Sequence, residues 1–355
     1  MTSFRALKYL TVLTGVACGA MSMHLDGLWV FTLPVYTFGL VPLLELFFRP
    51  DPHNLSEAEL ELARQDRLYD WVIYLLVPVQ WLLMVRFVIV IQNPELVWWE
   101  VLGKTWAAGI GCGVMGINVA HELGHRTKKY EQFMAKSLLL TSLYMHFFIE
   151  HNRGHHLRVS TPEDPASARR GEVLYAFWLR SVWQSYRSAW ELENSRMRRK
   201  GLPALHWRNE MLVYQLIQGA LVGAIGWFFG WQTMLLFVAA ATIGFLLLET
   251  VNYIEHYGLS RQRLPDGTYE RVQPAHSWNS DHPVGRLILF ELSRHSDHHY
   301  RAGRKYQLLR HMEGSPQMPT GYPGMLILST IPPLWFAVMH RAIARFEGEG
   351  KLGLA

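Results

Sequence analysis

The chain has 355 residues, of which 50% are hydrophobic, 13% aromatic and only 18% charged, and its formal net charge is +5. This apolar content exceeds that of an ordinary soluble enzyme, so we expect a lipid bilayer to be its main solvent. The two cysteines, Cys18 and Cys112, exclude both a disulfide framework and a Cys-x-x-C metal site.

Six apolar stretches approach the roughly 20 residues that a helix needs to cross the hydrocarbon core. The first lacks a small-residue cleavage site and is followed at once by a second stretch, so we interpret it as a retained helix and not a signal peptide. The six predicted spans lie near Leu7–Met23, Leu28–Phe47, Trp71–Ile91, Val97–Val119, Met211–Phe229 and Thr233–Val251. The sequence therefore predicts an all-α membrane protein with six transmembrane helices.

The basic residues predict the orientation of these spans. With a cytoplasmic N-terminus, none of the outward connections contains Lys or Arg, as the positive-inside rule requires. The positive charge thus indicates a cytoplasmic membrane face and requires no nucleic acid. We predict one integrated domain over residues 1–355, with a helical cytoplasmic cap built from Arg126–Glu210 and Tyr257–Ala355.

The sequence contains four histidine motifs; span polarity places the first and the third on one side of the membrane, and a shared metal site requires the other two there as well. They are HELGH, HNRGHH, NYIEHYG and HSDHH. The apolar run Phe133–Ile149 would separate the first two motifs if it crossed the bilayer, so we predict that it lies in or along the inner face. The same reasoning makes Met325–Met339, interrupted by Pro332 and Pro333, an interfacial segment.

The spacing within these motifs predicts metal binding, because histidines three or four residues apart share a helix face. A structural zinc takes four ligands and a catalytic zinc three, whereas two transition-metal ions sharing nine imidazoles would have four or five each. The candidate ligands are His121, His125, His151, His155, His156, His256, His295, His298 and His299. They favour a pair of metal ions.

Two other functions would use some of these histidines. An intramembrane zinc protease also has a HELGH-type helix, in which the glutamate activates water, but it needs an aspartate from another span and leaves the other histidines unexplained. A metal carrier would have ligands along a path through the bilayer. Metal analysis separates the protease from a two-metal enzyme.

HELGH, EHNRGHH, NYIEHYG and LSRHSDHH, in this order and with these spans, resemble the histidine boxes of the integral-membrane alkane monooxygenases, which are non-haem di-iron hydroxylases. The resemblance runs from the second span to about Gly324 and includes the segments TPEDPAS, HSWNSDH and PTGYPG. Similar boxes with altered spacing occur in membrane fatty-acid desaturases and hydroxylases. A lipid desaturase is therefore the main alternative.

The resemblance implies O2-dependent hydroxylation of medium-to-long-chain n-alkanes to 1-alkanols in the bacterial cytoplasmic membrane. It implies that the nine histidines bind two iron ions on the cytoplasmic side, and we expect no further catalytic side chain. Each ligating imidazole requires an acceptor at its other ring nitrogen. The candidates in or near the boxes are Glu122, Glu150, Asp164, Glu249, Glu255 and Asp297.

An alkane dissolved in the bilayer can enter the helix bundle from the side, and a narrow tunnel would present its terminal methyl to the metals. Small residues that leave room for such a tunnel are Thr37, Gly39, Gly113 and Gly116. Close helix contacts are the alternative explanation for these residues.

Each turnover needs two electrons, yet the sequence contains no dinucleotide-binding fingerprint, haem attachment motif or four-cysteine iron site. The resemblance implies that rubredoxin, reduced by an NADH-dependent rubredoxin reductase, supplies them. Arg301, Arg304 and Lys305, next to HSDHH, are candidates for docking it. Binding to anionic lipid is the alternative role for such basic residues.

Overall fold

A computed structural model describes residues 3–348, so both chain ends of the predicted domain, 1–2 and 349–355, lie outside the described residues. The described chain is helical, and its β-structure is limited to two isolated bridges. The helices are Ser3–Ala6, Leu7–Thr11, Val12–His24, Gly27–Phe31, Thr32–Val35, Tyr36–Leu40, Val41–Glu45, Glu57–Gln65, Leu68–Val90, Trp98–Gly111, Cys112–Ile117, Asn118–Gly124, Lys129–Thr141, Phe147–Glu150, His151–His155, His156–Arg158, Leu174–Arg199, Glu210–Phe229, Trp231–His256, Pro274–His276, Pro283–Ile288, His295–Tyr300, Tyr306–Leu308, Tyr322–Ser329 and Pro332–Gly348. The predicted all-α class is confirmed for this part of the chain.

Four helices are long and apolar enough to cross a membrane, and each coincides with a predicted span. They are Gly27–Glu45, Leu68–Val90, Glu210–Phe229 and Trp231–His256. The last two are joined by Gly230, whose φ of 85° permits the sharp reversal between them. The other two predicted spans, Leu7–Met23 and Val97–Val119, are also largely helical. Within the described chain, however, they are not among the helices that are both long and apolar enough to cross a membrane.

Close packing of two helices determines where the histidine motifs meet. Trp231–His256 lies against Trp98–Gly111 and the π-helical turn that follows it. A Cβ added at Gly109 would lie 2.5 Å from the Ile243 side chain, and one at Gly244 would lie 2.5 Å from Cys112 Cβ. Glycine therefore allows the two backbones to approach closely, as in many membrane helix pairs. This contact brings the C-terminal end of one helix, with His256, beside HELGH.

The two apolar runs predicted not to cross the membrane are both interrupted. Phe133–Ile149 contains the end of the helix Lys129–Thr141, and Leu143 then adopts a positive φ of 50° before the next helix begins. Met325–Met339 is divided between two helices, and the second begins at Pro332, where a proline is well tolerated because the first helical N–H has no intrahelical partner.

Candidate metal centre

The histidines come from four helical segments that end at one place. HELGH occupies the end of Asn118–Gly124, and His256 is the last residue of the helix Trp231–His256. HNRGHH forms a π-helical turn, and HSDHH opens the short helix His295–Tyr300. The structure brings all nine candidate ligands into two groups: His121, His125, His151, His156 and His298 in the first, and His155, His256, His295 and His299 in the second.

The distances between ring nitrogens match those expected around a metal ion. In the first group, His151 Nε2 lies 3.0 Å from both His125 Nε2 and His156 Nε2. In the second, His155 and His299 are joined by an Nε2–Nε2 distance of 3.2 Å. Two nitrogens bound at right angles to one ion, each about 2.1 Å from it, are roughly 3.0 Å apart.

The size of each group also fits one ion. All potential ligand atoms within a group lie within 4.8 Å of one another. The first group can therefore hold one metal ion with five imidazoles, and the second can hold another with four.

Burial keeps most of these rings neutral, which is the form that binds metal. Burial and the neighbouring His121 and His156 hold the pKa of His151 well below its usual value. Burial, with smaller effects of His155 and Arg126, lowers the pKa of His125 to about 3. The free lone pairs are thus available at neutral pH.

His155 is the exception because a carboxylate touches its other nitrogen. Its Nδ1 lies 2.9 Å from Asp164 Oδ2, and Ser167 donates a 2.6 Å hydrogen bond to the same oxygen. Burial alone would lower the pKa of His155, but the charge and hydrogen bond of Asp164 raise it. Asp164 therefore orients this imidazole and makes its other ring nitrogen a stronger metal ligand.

Glu255 also contacts a histidine, but at a different atom. Its Oε2 lies 3.2 Å from Nε2 of His295, the nitrogen that faces the second group, and Tyr322 donates a 2.8 Å hydrogen bond to its Oε1. The carboxylate is thus on the metal side of the ring and not behind it. The described hydrogen bonds also include a 3.5 Å contact between Ser277 and His256 Nδ1. Sequence reasoning missed Tyr322 and Ser277, although they lie in PTGYPG and HSWNSDH.

The other four predicted orienting carboxylates form no described hydrogen bond or ion pair with an imidazole. Each is occupied by another partner: Glu122 by Arg126, Glu150 by Arg158, Glu249 by Tyr144 and Ser181, and Asp297 by Arg304. Glu150 comes nearest, because it accepts the backbone N–H of His155. These carboxylates position the segments that carry the histidines.

An apolar cavity of about 90 Å³ extends from the histidines into the helix bundle. It reaches His121 and His151 of the first group and His295 of the second. Two predicted tunnel residues, Thr37 and Gly113, are among its lining.

The other two predicted tunnel residues do not line this cavity. Gly39 is exposed on the opposite side of its helix, and a Cβ at Gly116 would face Thr141 Oγ1 at 3.2 Å. Two π-helical turns, Tyr36–Leu40 and Cys112–Ile117, border the cavity and rotate the residues around them relative to a regular α-helix. The small size of these two glycines did not show which side of the helix faces the cavity, and the position of Gly116 fits the alternative of a close helix contact.

The three basic residues beside HSDHH have different environments. Arg301 is exposed, and its guanidinium lies 5.8 Å from the centre of the Tyr300 ring. Arg304 is bound to Asp297 at 2.5 Å, and Lys305 is bound to Asp70 at 2.8 Å. Only the first of the three is therefore unengaged by a carboxylate among the described ion pairs.

Comparison with known proteins agrees with this centre. The family model described as fatty acid desaturase matches residues 96–329. Alkane 1-monooxygenase 1 of Pseudomonas aeruginosa is 43% identical over 90% of this chain and 85% of its own length. Alkane 1-monooxygenase of Pseudomonas putida is 39% identical over 87% of this chain and 77% of its own length. The xylene/toluene monooxygenase hydroxylase component XylM of the same species is 27% identical over 94% of this chain and 88% of its own length. The chain therefore belongs to the alkane 1-monooxygenases of the fatty acid desaturase family.

Proposed function

We propose that this protein hydroxylates the terminal methyl group of medium-to-long-chain n-alkanes to give 1-alkanols, using O2 and two non-haem iron ions. The observation that carries the proposal is the apolar cavity, because it ends at His121 and His151 of one group and at His295 of the other. A hydrocarbon end in this cavity would face both metal positions. The activity named for the curated relatives is consistent with this arrangement.

The nine histidines would hold the irons, which, when bound, supply the activation of O2 that an unactivated C–H bond requires. Buried neutral imidazoles provide nitrogen ligands, and Asp164 orients His155.

The cavity walls bind the substrate chain by apolar contact and exclude water. The lining extends from Ile110 to His121 along a continuous helical stretch that includes the π-helical turn Cys112–Ile117, a length of at most roughly 16 Å at the α-helical rise of about 1.5 Å per residue. An extended chain in this space arrives end-on, so position selects the terminal methyl although internal C–H bonds are weaker.

The proposed topology has six spans, with the metal centre on the cytoplasmic side of the bacterial inner membrane. The four long apolar helices and the absence of basic residues from the predicted outer connections support it. The substrate would enter directly from the bilayer.

Product analysis tests the proposal. Purified protein is assayed for iron and then given octane, O2 and a reducing system. We expect about two irons per chain and 1-octanol as the product. An alkene product would favour the desaturase alternative, and zinc in place of iron would favour the protease.

Thr37→Trp is expected to shorten the longest alkane that the enzyme oxidises, because an indole obstructs a cavity that a threonine side chain leaves open. The measurement is relative turnover across a series of n-alkanes. Gly39→Trp is the matched control: it adds the same indole on the same helix but at an exposed position outside the lining. Equal chain-length profiles for the two variants would contradict the proposed path.

The electrons are proposed to come from a rubredoxin, in turn reduced by an NADH-dependent reductase. Arg301 is the best candidate contact, because Arg304 and Lys305 already pair with carboxylates of this chain. Charge reversal at Arg304 would disturb Asp297, which lies between two histidines, and so could not separate docking from metal loss.

Arg301→Glu is expected to slow rubredoxin-driven turnover by roughly threefold to tenfold while leaving iron content unchanged. Turnover with a small uncharged reductant should be unaffected. Raising salt from about 0.05 to 0.5 M, where the Debye length drops below roughly 5 Å, should reduce the difference from the parent. Arg198→Glu, at another exposed position, is the control. Equal slowing by both variants would exclude a specific role for Arg301.

A further inference from the structure

One wall of the cavity is formed by two predicted membrane spans and is only partly covered by the rest of the protein. Gly15 of the helix Val12–His24, and Tyr36 and Thr37 of the span Gly27–Glu45, line the cavity and are only half-buried. On the opposite side, Ile110 and Met115 line it and are fully buried in the bundle. The gap between the helix Val12–His24 and the span Gly27–Glu45 is therefore one side from which a hydrocarbon in the membrane can reach the cavity.

A hydrogen bond joins the two helices across this gap. The hydroxyl oxygens of Thr14 and Tyr36 lie 2.6 Å apart, and Thr14 also donates to the carbonyl of Thr11 at 2.6 Å. A threonine hydroxyl has a single proton, so Tyr36 must donate its own to Thr14. The phenol is thereby held across the gap and not alongside its own helix.

Gly15 provides the space that this position of the phenol needs. A Cβ at residue 15 would lie 3.7 Å from Cε1 of Tyr36, so any longer side chain would press against the ring. Tyr36 also begins the π-helical turn Tyr36–Leu40, where the backbone is locally rewound. The ring therefore lies between a π-helical turn of its own segment and a glycine of the other helix.

We propose that the Thr14–Tyr36 hydrogen bond is a latch on the lateral entrance to the cavity, and that it restricts entry to narrow, unbranched chains. The inference rests on the proposed function, since it concerns how the alkane reaches the metal centre. In hydrocarbon the phenol has few other partners, so the bond favours the closed position more than it would in water. A linear chain can slide past a held ring, whereas a branched chain requires the ring to move away.

The test is a competition between n-octane and 2,2,4-trimethylpentane in the reconstituted full-length protein. Tyr36→Phe and Thr14→Val each remove the bond with little change in volume. Each should raise the ratio of branched to linear kcat/KM by about threefold to tenfold, as expected from loss of one hydrogen bond. The double variant should show no larger ratio than either single variant, because both remove the same interaction. Iron content should stay at the parent value.

Two further variants complete the design. Thr32→Val removes a hydroxyl from the second helix that bonds only to Trp29 of its own helix, and it should leave the ratio unchanged. Gly15→Phe should fill the gap and slow oxidation of both substrates without loss of iron.

Unchanged ratios in Tyr36→Phe and Thr14→Val, or additive effects in the double variant, would overturn the latch. Failure of the parent protein to form 1-octanol would instead overturn the proposed function, so the two failures are distinguishable.

Discussion

Replacing His256 with alanine is expected to lower bound iron from about two to about one per chain and to reduce alkane hydroxylation by more than about 100-fold. His256 is fully buried, and its Nε2 lies 3.2 Å from Nε2 of His295 within the four-histidine group. Removing it leaves three imidazoles for an ion that would have had four. Iron analysis and product formation from octane measure the two effects.

His340→Ala is the matched control for this variant. His340 contacts the hydroxyl of Tyr257, the residue next to His256, but belongs to neither metal group. It should retain both irons and most of the activity, while both variants remain in the membrane fraction. Two irons per chain and full activity in His256→Ala would remove this residue from the ligand set.

Replacing Asp164 with asparagine is expected to weaken iron binding by about 10- to 100-fold without removing any ligand. An amide can still accept a hydrogen bond from His155, but it lacks the negative charge that makes the imidazole a stronger donor. The fully buried His155–Asp164 contact should therefore depend on the carboxylate itself. The measurement is iron retained against increasing concentrations of a chelator.

Glu163→Gln tests whether this effect is specific. Glu163 is exposed next to Asp164 and contacts Tyr269, not a histidine. The substitution makes the same chemical change one residue away and should leave iron retention at the parent value. If Asp164→Asn also retained its iron like the parent, the orientation of His155 would depend on other contacts.

The resemblance and the spacing of the boxes already specified the candidate ligands, because a short helical segment fixes which side chains share a face. Four of the membrane spans could likewise be predicted from the sequence, because the thickness of the bilayer sets the length of an apolar helix that crosses it. The sequence did not show how the nine histidines divide between the two groups. His155 and His156 are neighbours in sequence, yet they belong to different groups: His155 ends the π-helical turn His151–His155, and His156 begins the next helix.

The carboxylates predicted to orient the histidines also show which features the sequence predicts and which it does not. All six lie in or near the histidine boxes, and the sequence favours Asp297 because it stands between two candidate ligands. In the structure Asp164 reaches the outer nitrogen of His155, Glu255 reaches the inner nitrogen of His295, and Asp297, between two histidines, turns to Arg304.

The sequence by itself determined the residue types, their order and the apolar spans, because these depend on local spacing and on transfer from water to lipid. Only the tertiary structure decided which imidazoles share an ion, which carboxylate serves which ring, and which residues line the cavity. Those features depend on contacts between segments more than 100 residues apart, such as His155 with His299, and on local π-helical turns that shift side chains away from regular helical positions.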